Sequence, residues 1–260
     1  MSAEPEPGTR PDEAAERTPV LSLRGVSRSF GAARALVDVD LDVHAHEVVA
    51  VVGDTGAGKS TLVGVASGAL SPDAGSVLVD GRPVTLGDPA AARGLGIAAV
   101  FQDLALCANL DVVENLFLGQ EAVAGGLLDE VVMEKQAWEL LGQLAARVPS
   151  VRVPVAALSG GQRRAVAIAR SLLGQPRVIL LDEPTASLGL TQVAEFLTLV
   201  ERLRERGHAV LITSHSLSDL QAVADRIVVL RLGRTNGEFD ADRVTYEDLL
   251  AAVTGVRSTR

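Results

Sequence analysis

The order of apolar and polar residues changes along this chain. Apolar stretches with a period of two lie at residues 20–23, 36–43 and 75–81. This period is typical of antiparallel strands that bury one face. Runs in which nearly every residue is apolar are typical of parallel strands that are covered on both faces. These runs lie at residues 48–52, 97–101, 178–182, 209–213 and 227–230.

Segments with helical spacing separate the apolar runs. They lie at residues 60–70 and 192–206, and a longer helical region extends from about residue 112 to 173. Strands and helices that alternate along a chain indicate a parallel sheet with right-handed crossovers. We therefore expect an α/β fold with a mostly parallel sheet, a small antiparallel β-subdomain and an inserted helical subdomain at about residues 104–175.

Both ends of the chain differ from the region between them. Residues 1–18 are rich in Glu, Pro and Arg and have almost no large apolar side chains, a composition that favours disorder. We predict one domain over residues 19–255, with a disordered tail before it and a short tail at residues 256–260.

A glycine-rich sequence connects the apolar run 48–52 to the helical segment 60–70. In such a turn the backbone N–H groups converge on a phosphate, and the following helix directs the positive end of its dipole to the same point. Lys59 would reach the β- and γ-phosphates, and the Ser60 hydroxyl would ligate Mg²⁺. An ordinary strand-to-helix turn is the alternative, but it does not explain the strand, the spacing, the Lys and the Ser together. The sequence predicts a phosphate-binding loop, and hence a P-loop NTPase fold, with Gly53, Asp54, Thr55, Gly56, Ala57, Gly58, Lys59, Ser60 and Thr61.

Two carboxylates end the apolar run 178–182. Asp182 is the last residue of this run and Glu183 follows it directly, and ligands bind at the carboxyl ends of strands in open α/β sheets. Asp182 is suited to hold Mg²⁺, and Glu183 is suited to be the general base that polarises the attacking water. Two acids at a strand end could also simply be solvated, but the upstream phosphate loop favours the catalytic interpretation.

Composition limits the classes of function. Of the 260 residues, 47% are hydrophobic and 22% charged, which is typical of a globular protein. The net charge of −9 argues against a surface that neutralises nucleic-acid phosphates. One cysteine, Cys107, excludes an internal disulfide, and no apolar run approaches about 18 residues. We expect a reduced, cytoplasmic protein in which Cys107 is a small core or near-surface residue, with a reactive thiol as the alternative.

A pentapeptide, Leu-Ser-Gly-Gly-Gln at residues 158–162, precedes an amphipathic helix. Here the sequence resembles the ATP-binding cassette (ABC) ATPases, whose signature is this pentapeptide. The physical interpretation is a second helix N-terminus that presents N–H groups to a phosphate, although a capped helix start would look the same. The resemblance implies that ATP on the opposite subunit of a head-to-tail homodimer contacts this segment. Its residues are Ser159, Gly160, Gly161 and Gln162.

The resemblance also implies roles for three single residues. Gln102 lies where the family has a glutamine that touches Mg²⁺ and couples to the transporter, and His215 where it has a histidine that contacts the γ-phosphate. Phe30 lies where an aromatic residue stacks on adenine, although a core phenylalanine is a competing interpretation. Gly189 is a departure, because the family has an aspartate there that communicates across the dimer.

Three further residues have simpler interpretations. His44 and His46 alternate along the chain, which would place them on one face of a strand, but no carboxylate or cysteine nearby supports a metal site. Trp138 is expected to pack in the helical subdomain.

Three stretches, at residues 101–106, 109–119 and 224–234, look like bacterial monosaccharide importers of the ribose, xylose and fructose type. This resemblance implies an ATP-hydrolysing subunit on the cytoplasmic face of the membrane. It would work with a separate integral membrane permease and, indirectly, with a periplasmic or lipid-anchored sugar-binding protein, and not with nucleic acid. Many members carry two fused cassettes, so two copies of this chain would pair. An importer of another small solute, or a soluble ABC ATPase that acts on nucleic acid or ribosomes, remains an alternative.

Overall fold

A computed structural model describes residues 18–186 and 188–256 of the chain. The predicted tails at residues 1–18 and 256–260 lie outside these ranges, except for one residue of each. Within the described ranges, no helix has both the length and the apolar character needed to cross a membrane.

The secondary structure alternates between strands and helices. The strands are β1 (Leu21–Phe30), β2 (Ala33–Val43), β3 (Val48–Val52), β4 (Ala74–Val79), β5 (Arg82–Val84), β6 (Ile97–Val100), β7 (Val123–Ala124), β8 (Leu127–Leu128), β9 (Val178–Asp182), β10 (Ala209–Ser214), β11 (Arg226–Arg231) and β12 (Arg234–Asp240). The helices are α1 (Lys59–Ala66), α2 (Pro89–Gly94), α3 (Val112–Phe117), α4 (Glu130–Gln143), α5 (Gly160–Leu172), α6 (Leu190–Glu205), α7 (Leu217–Gln221) and α8 (Tyr246–Thr254).

A six-stranded sheet forms the centre, in the order β12-β11-β3-β10-β9-β6. Its strands are parallel except for β12, which pairs antiparallel with β11. A second sheet is antiparallel, in the order β2-β1-β4-β5. The predicted P-loop NTPase architecture, with a mostly parallel sheet and a small antiparallel β-subdomain, is confirmed.

Strand β3 shows how the core is divided. All five of its residues are fully buried, and successive side chains point to opposite faces of the sheet. Val48, Ala50 and Val52 pack with the helices α3 to α7, whereas Val49 and Val51 pack with α1 and the antiparallel sheet. Because both faces of this strand are covered, its sequence is apolar throughout instead of alternating.

The predicted helical region is confirmed for α3, α4 and α5 but contains one element that the sequence analysis missed. A short hairpin, whose strands β7 and β8 have two residues each, lies between α3 and α4. Gly125 and Gly126 form its turn with φ of 60° and 85°, which is the conformation that a tight hairpin requires and glycine adopts without strain. The strands are too short to show a period of two.

Two arginines connect the sheets. Arg177 precedes β9 and donates two hydrogen bonds, of 2.6 and 2.7 Å, to the carboxylate of Asp80 after β4. These bonds hold the pKa of Asp80 below its ordinary value. Arg226 begins β11; its Nε donates to Glu47 at 2.8 Å, and a second nitrogen donates to the carbonyl of Asp42 in β2. The antiparallel sheet is therefore held to the central sheet near the N-terminal ends of β9 and β11.

Two side predictions were wrong. His44 and His46 do not share a strand face, because β2 ends at Val43 and both lie in the turn before β3, where His46 has a φ of 62°. Trp138 is 44% exposed, because it lies one position beyond the buried stripe of α4 that includes Ala137 and Leu141.

Candidate functional site

The predicted phosphate-binding loop lies between β3 and α1. Gly58 has a φ of 109° and immediately precedes the first residue of α1. A Cβ atom at this position would lie 2.3 Å from the carbonyl oxygen of Ala35. Only glycine fits both the backbone conformation and this close approach, so the position of the loop against β2 depends on it.

Lys59 directs its ammonium group into the loop. Its Nζ donates to the carbonyl oxygens of Gly53 at 2.7 Å and Asp54 at 3.1 Å. The same nitrogen lies 3.2 Å from Oε1 of Glu183, and only 6% of the Lys59 side chain is exposed. A buried charge needs such partners, so Lys59 is a fixed cation inside the site.

Glu183 directly follows β9 and has an uncommon backbone conformation. Its φ is 47°, a left-handed value that costs free energy for a residue with a side chain and occurs preferentially at functional sites. One carboxylate oxygen faces Lys59, and the other lies 2.9 Å from Nδ1 of His215. The structure therefore brings together three residues that the sequence predicted separately.

Thr213 is a residue that the sequence analysis did not select. Its hydroxyl donates to Oδ1 of Asp182 at 2.7 Å and accepts from the backbone N–H of Glu183 at 2.9 Å. Thr213 is fully buried, and it lies opposite Asp182 in the parallel pairing of β10 with β9. A threonine near the end of an otherwise apolar strand was the available signal.

A cavity of about 490 Å³ is lined by most of the residues that the sequence predicted for phosphate binding, Mg²⁺ binding and catalysis. It is open to the surface above the loop. Gly53, Asp54, Ala57 and Asp182 do not line it. Gly53, Ala57 and Asp182 are buried, whereas Asp54 is exposed. The lining residues are Ala35, Thr55, Gly56, Gly58, Lys59, Ser60, Thr61, Gln102, Glu183, Ala186 and His215.

Phe30 lies at the end of β1 and does not line this cavity. Its side chain is 48% exposed, so the interpretation as a core phenylalanine is wrong. The guanidinium carbon of Arg28 lies 5.2 Å from the ring centroid, which is within the distance of a cation–π interaction. The exposed ring leaves adenine stacking as a prediction.

The signature segment forms the start of α5. The N–H of Gln162 donates to the hydroxyl of Ser159 at 3.2 Å, and the N–H of Ser159 donates to the Gln162 side chain at 2.9 Å. This reciprocal arrangement is a capping box. None of the residues 159–162 lines the phosphate-loop cavity. The structure of one chain therefore does not bring the signature to the phosphate loop.

Comparison with known proteins decides the family. The family model described as ABC transporter matches residues 36–186. The chain belongs to the ABC transporter family. It is therefore an ATP-binding cassette ATPase, and ATP binding and hydrolysis are the chemistry of this family's site.

Individual relatives agree with this assignment. The chain is 39% identical to the xylose/arabinose import ATP-binding protein XylG of Sulfolobus acidocaldarius, over 90% of this chain and 94% of that protein. It is 38% identical to the fructose import ATP-binding protein FrcA of Rhizobium meliloti, over 92% and 95% of the two chains. It is 41% identical to the ribose import ATP-binding protein RbsA 1 of Rubrobacter xylanophilus, over 86% of this chain but only 45% of that protein.

A solved structure supports the fold. The dimeric structure of a bacterial ABC transporter cassette aligns with a TM-score of 0.73 and 27% identity, and the alignment covers 85% of this chain and 98% of that one. This likeness supports the ABC cassette fold.

The hydroxyl of Thr213 generates a testable prediction. Thr213→Val removes the link between Asp182 and the backbone of Glu183, whereas Thr213→Ser keeps a hydroxyl there. We expect kcat for ATP hydrolysis to fall about tenfold or more in the valine variant, which corresponds to loss of a hydrogen bond to a charged group.

The serine variant is the matched control and is expected to retain most of the activity. The measurement is steady-state ATPase activity, with ATP affinity and thermal unfolding recorded in parallel. A valine variant with wild-type kcat would show that the hydroxyl does not position the two acids.

Proposed function

We propose that this chain is the ATP-hydrolysing subunit of a bacterial-type ABC importer of a monosaccharide. Two copies would pair on the cytoplasmic face of a membrane and drive a separate permease. The observation that carries this proposal is the match to two sugar-import ATP-binding proteins, for xylose/arabinose and for fructose, over more than nine-tenths of their lengths. Within the site, the cluster of Lys59, Glu183 and His215 supports the ATPase chemistry.

The phosphate loop would receive the phosphates of ATP. The backbone N–H groups of a glycine-rich loop and the N-terminus of α1 favour negative charge at this point. Lys59 already has its ammonium group inside the loop, so a γ-phosphate can exchange for the Glu183 carboxylate as its partner. The cation would then neutralise charge that develops during phosphoryl transfer.

Glu183 and His215 would act on the other side of the γ-phosphate. Release from Lys59 leaves the Glu183 carboxylate free to hold and polarise the attacking water. The side chain of His215 is 63% exposed, and its Nδ1 contacts that carboxylate. From this exposed position His215 would contact the γ-phosphate. The left-handed backbone at Glu183 aims its side chain into the cavity, and Thr213 holds that backbone in place.

The residues present are also suited to Mg²⁺. Mg²⁺ prefers oxygen ligands, and the hydroxyl of Ser60, the side-chain oxygen of Gln102 and the carboxylate of Asp182 are all of this type. Ser60 and Gln102 line the cavity, and Asp182, whose Oδ1 accepts a hydrogen bond from Thr213, directly precedes the lining residue Glu183. The ion would supply charge neutralisation at the β- and γ-phosphates.

Two further contacts would complete nucleotide binding. Phe30 has an exposed ring that can stack on adenine. The signature, with Ser159, Gly160, Gly161 and Gln162, lies outside the phosphate-loop cavity of its own chain, so a second copy would present it to the nucleotide. The solved dimeric cassette with the same fold supports such a pair. Gln102, on the cavity wall, would connect the nucleotide to the permease.

The base assignment predicts the behaviour of Glu183→Gln. The amide keeps the size of the side chain but cannot accept a proton, so we expect ATP hydrolysis to fall by about 100-fold or more. ATP affinity is expected to stay within about threefold, because Lys59 keeps its loop contacts. Equilibrium dialysis with radiolabelled ATP and a steady-state phosphate-release assay measure the two quantities.

Glu247→Gln is a matched control for this experiment, because Glu247 is an exposed carboxylate of α8 that does not line the cavity. Hydrolysis by Glu183→Gln near the wild-type rate would refute the assigned base.

The import proposal predicts a transport defect in the host. We expect replacement of the chromosomal gene by the Glu183→Gln allele to abolish uptake of at least one radiolabelled monosaccharide in a panel that includes ribose, xylose, arabinose and fructose. The tagged variant, trapped with ATP, is expected to co-purify with a polytopic permease from detergent-solubilised membranes. Mass spectrometry identifies what co-purifies.

The same tagged protein with Lys59→Ala is the control for trapping by ATP. Unchanged uptake of every monosaccharide, together with loss of uptake of a different solute, would contradict sugar import but leave the ATPase assignment standing. Co-purification of ribosomal or DNA-repair proteins without a permease would contradict the transport role.

A further inference from the structure

Phe30 lies at the tip of a hairpin beside the phosphate-loop cavity. Strands β1 and β2 pair as far as Phe30 and Ala33, and a two-residue turn in which Gly31 has a φ of 59° joins them. Two residues further along β2, Ala35 lines the cavity. The Phe30 ring is half exposed at this tip, so close packing does not fix its orientation as it would in the core. The orientation of the ring therefore depends on a few neighbouring groups.

Asp73 holds the end of β1 at the point where its pairing with β4 stops. The β1–β4 pairing ends at Ser27, and Asp73 directly precedes β4. The backbone N–H of Asp73 donates to the carbonyl of Ser27 at 2.8 Å, and its carboxylate accepts from the backbone N–H of Ser29 at 2.7 Å. The other carboxylate oxygen accepts from Nη1 of Arg28 at 2.7 Å. Asp73 therefore contacts all three residues that precede Phe30.

Arg28 connects this carboxylate to the aromatic ring. Its guanidinium carbon lies over the Phe30 ring, 5.2 Å from the centroid, which is close enough for a cation to be attracted by the ring face. Within the part of the chain that the structure describes, Asp73 is the one hydrogen-bond partner of this guanidinium, and its Nε is buried without a partner. The Arg28 and Asp73 side chains are 26% and 45% exposed, and ion pairs at such exposure contribute little to stability. These contacts are better suited to position the ring than to stabilise the fold.

We propose that Arg28, held by Asp73, positions the Phe30 ring for adenine. The guanidinium covers one face of the ring, so the base would stack on the opposite face. A ring that is oriented before the nucleotide arrives loses less conformational entropy on binding. This inference rests on the proposed function, in which Phe30 stacks on adenine. It adds two positioning residues, Arg28 and Asp73, that act on the base through the ring.

Binding of MgADP, measured by isothermal titration, tests this inference, because ADP carries the base and is not hydrolysed. Phe30→Ala removes the stacking surface and is expected to weaken binding about fivefold or more. Arg28→Met removes the charge but keeps an unbranched stem, and we expect binding to weaken about threefold. Asp73→Asn keeps an oxygen acceptor for the N–H of Ser29 but loses the ion pair, so its affinity is expected to fall in the same direction.

A double-variant cycle separates positioning of the ring from a general effect on the protein. In the Phe30→Ala background, Arg28→Met is expected to cause no further loss of MgADP affinity, because Arg28 acts through the ring. Arg24→Met is the matched control, since Arg24 also lies in β1 and forms a partly exposed ion pair, with Asp42. This control makes the same change of charge on the same strand and is expected to leave MgADP affinity unchanged. Thermal unfolding midpoints report whether each variant is folded.

Three results would each overturn the inference. Wild-type affinity in folded Arg28→Met would show that the guanidinium does not position the ring. An equal loss from Arg28→Met with and without Phe30 would show that Arg28 acts independently of the ring. Wild-type affinity in Phe30→Ala would also remove adenine stacking from the proposed function, whereas the first two results leave that stacking intact. If Arg28→Met does not fold, Asp73→Asn takes its place in the same cycle and with the same criteria.

Discussion

The burial of one ammonium group, that of Lys59, organises the site. A lysine at 6% exposure needs oxygen partners, and it finds two in the carbonyls of Gly53 and Asp54 and one in Glu183. These contacts connect the start of α1 to the end of β3 and to the end of β9, which β10 separates in the sheet. We propose that the phosphates of ATP bind at this cation, where the γ-phosphate would replace the Glu183 carboxylate as the partner of Lys59.

Much of the fold was predictable because its signals are local. The apolar run of β3 reports burial on both faces, and the Gly-Lys-Ser sequence that follows it has few structural alternatives. The hairpin of β7 and β8 was missed because two residues per strand show no periodicity, although Gly125 and Gly126 marked its turn. His44 and His46 were placed on a strand because alternation alone cannot show where a strand ends, and β2 ends at Val43, one residue before His44.

The candidate site was predictable as a set of residues but not as a geometry. Glu183 and His215 are 32 positions apart and meet because β9 and β10 are adjacent, which only the sheet order shows. The bridging role of Thr213 depends on the register of β10 against β9, which a threonine in an otherwise apolar run does not show by itself. That the signature residues do not line the phosphate-loop cavity of their own chain likewise required the structure, and this observation supports the proposal of a second copy.

The mass of the Glu183→Gln chain in solution, measured by sedimentation velocity with and without MgATP, tests most directly whether a second copy completes the nucleotide site. We expect one chain without nucleotide and two chains with it, and we expect that adding Ser159→Arg to the same variant prevents pairing while ATP still binds. A single-chain mass at saturating ATP, or unchanged pairing in the Ser159→Arg double variant, would contradict a nucleotide site completed by the signature of a second copy.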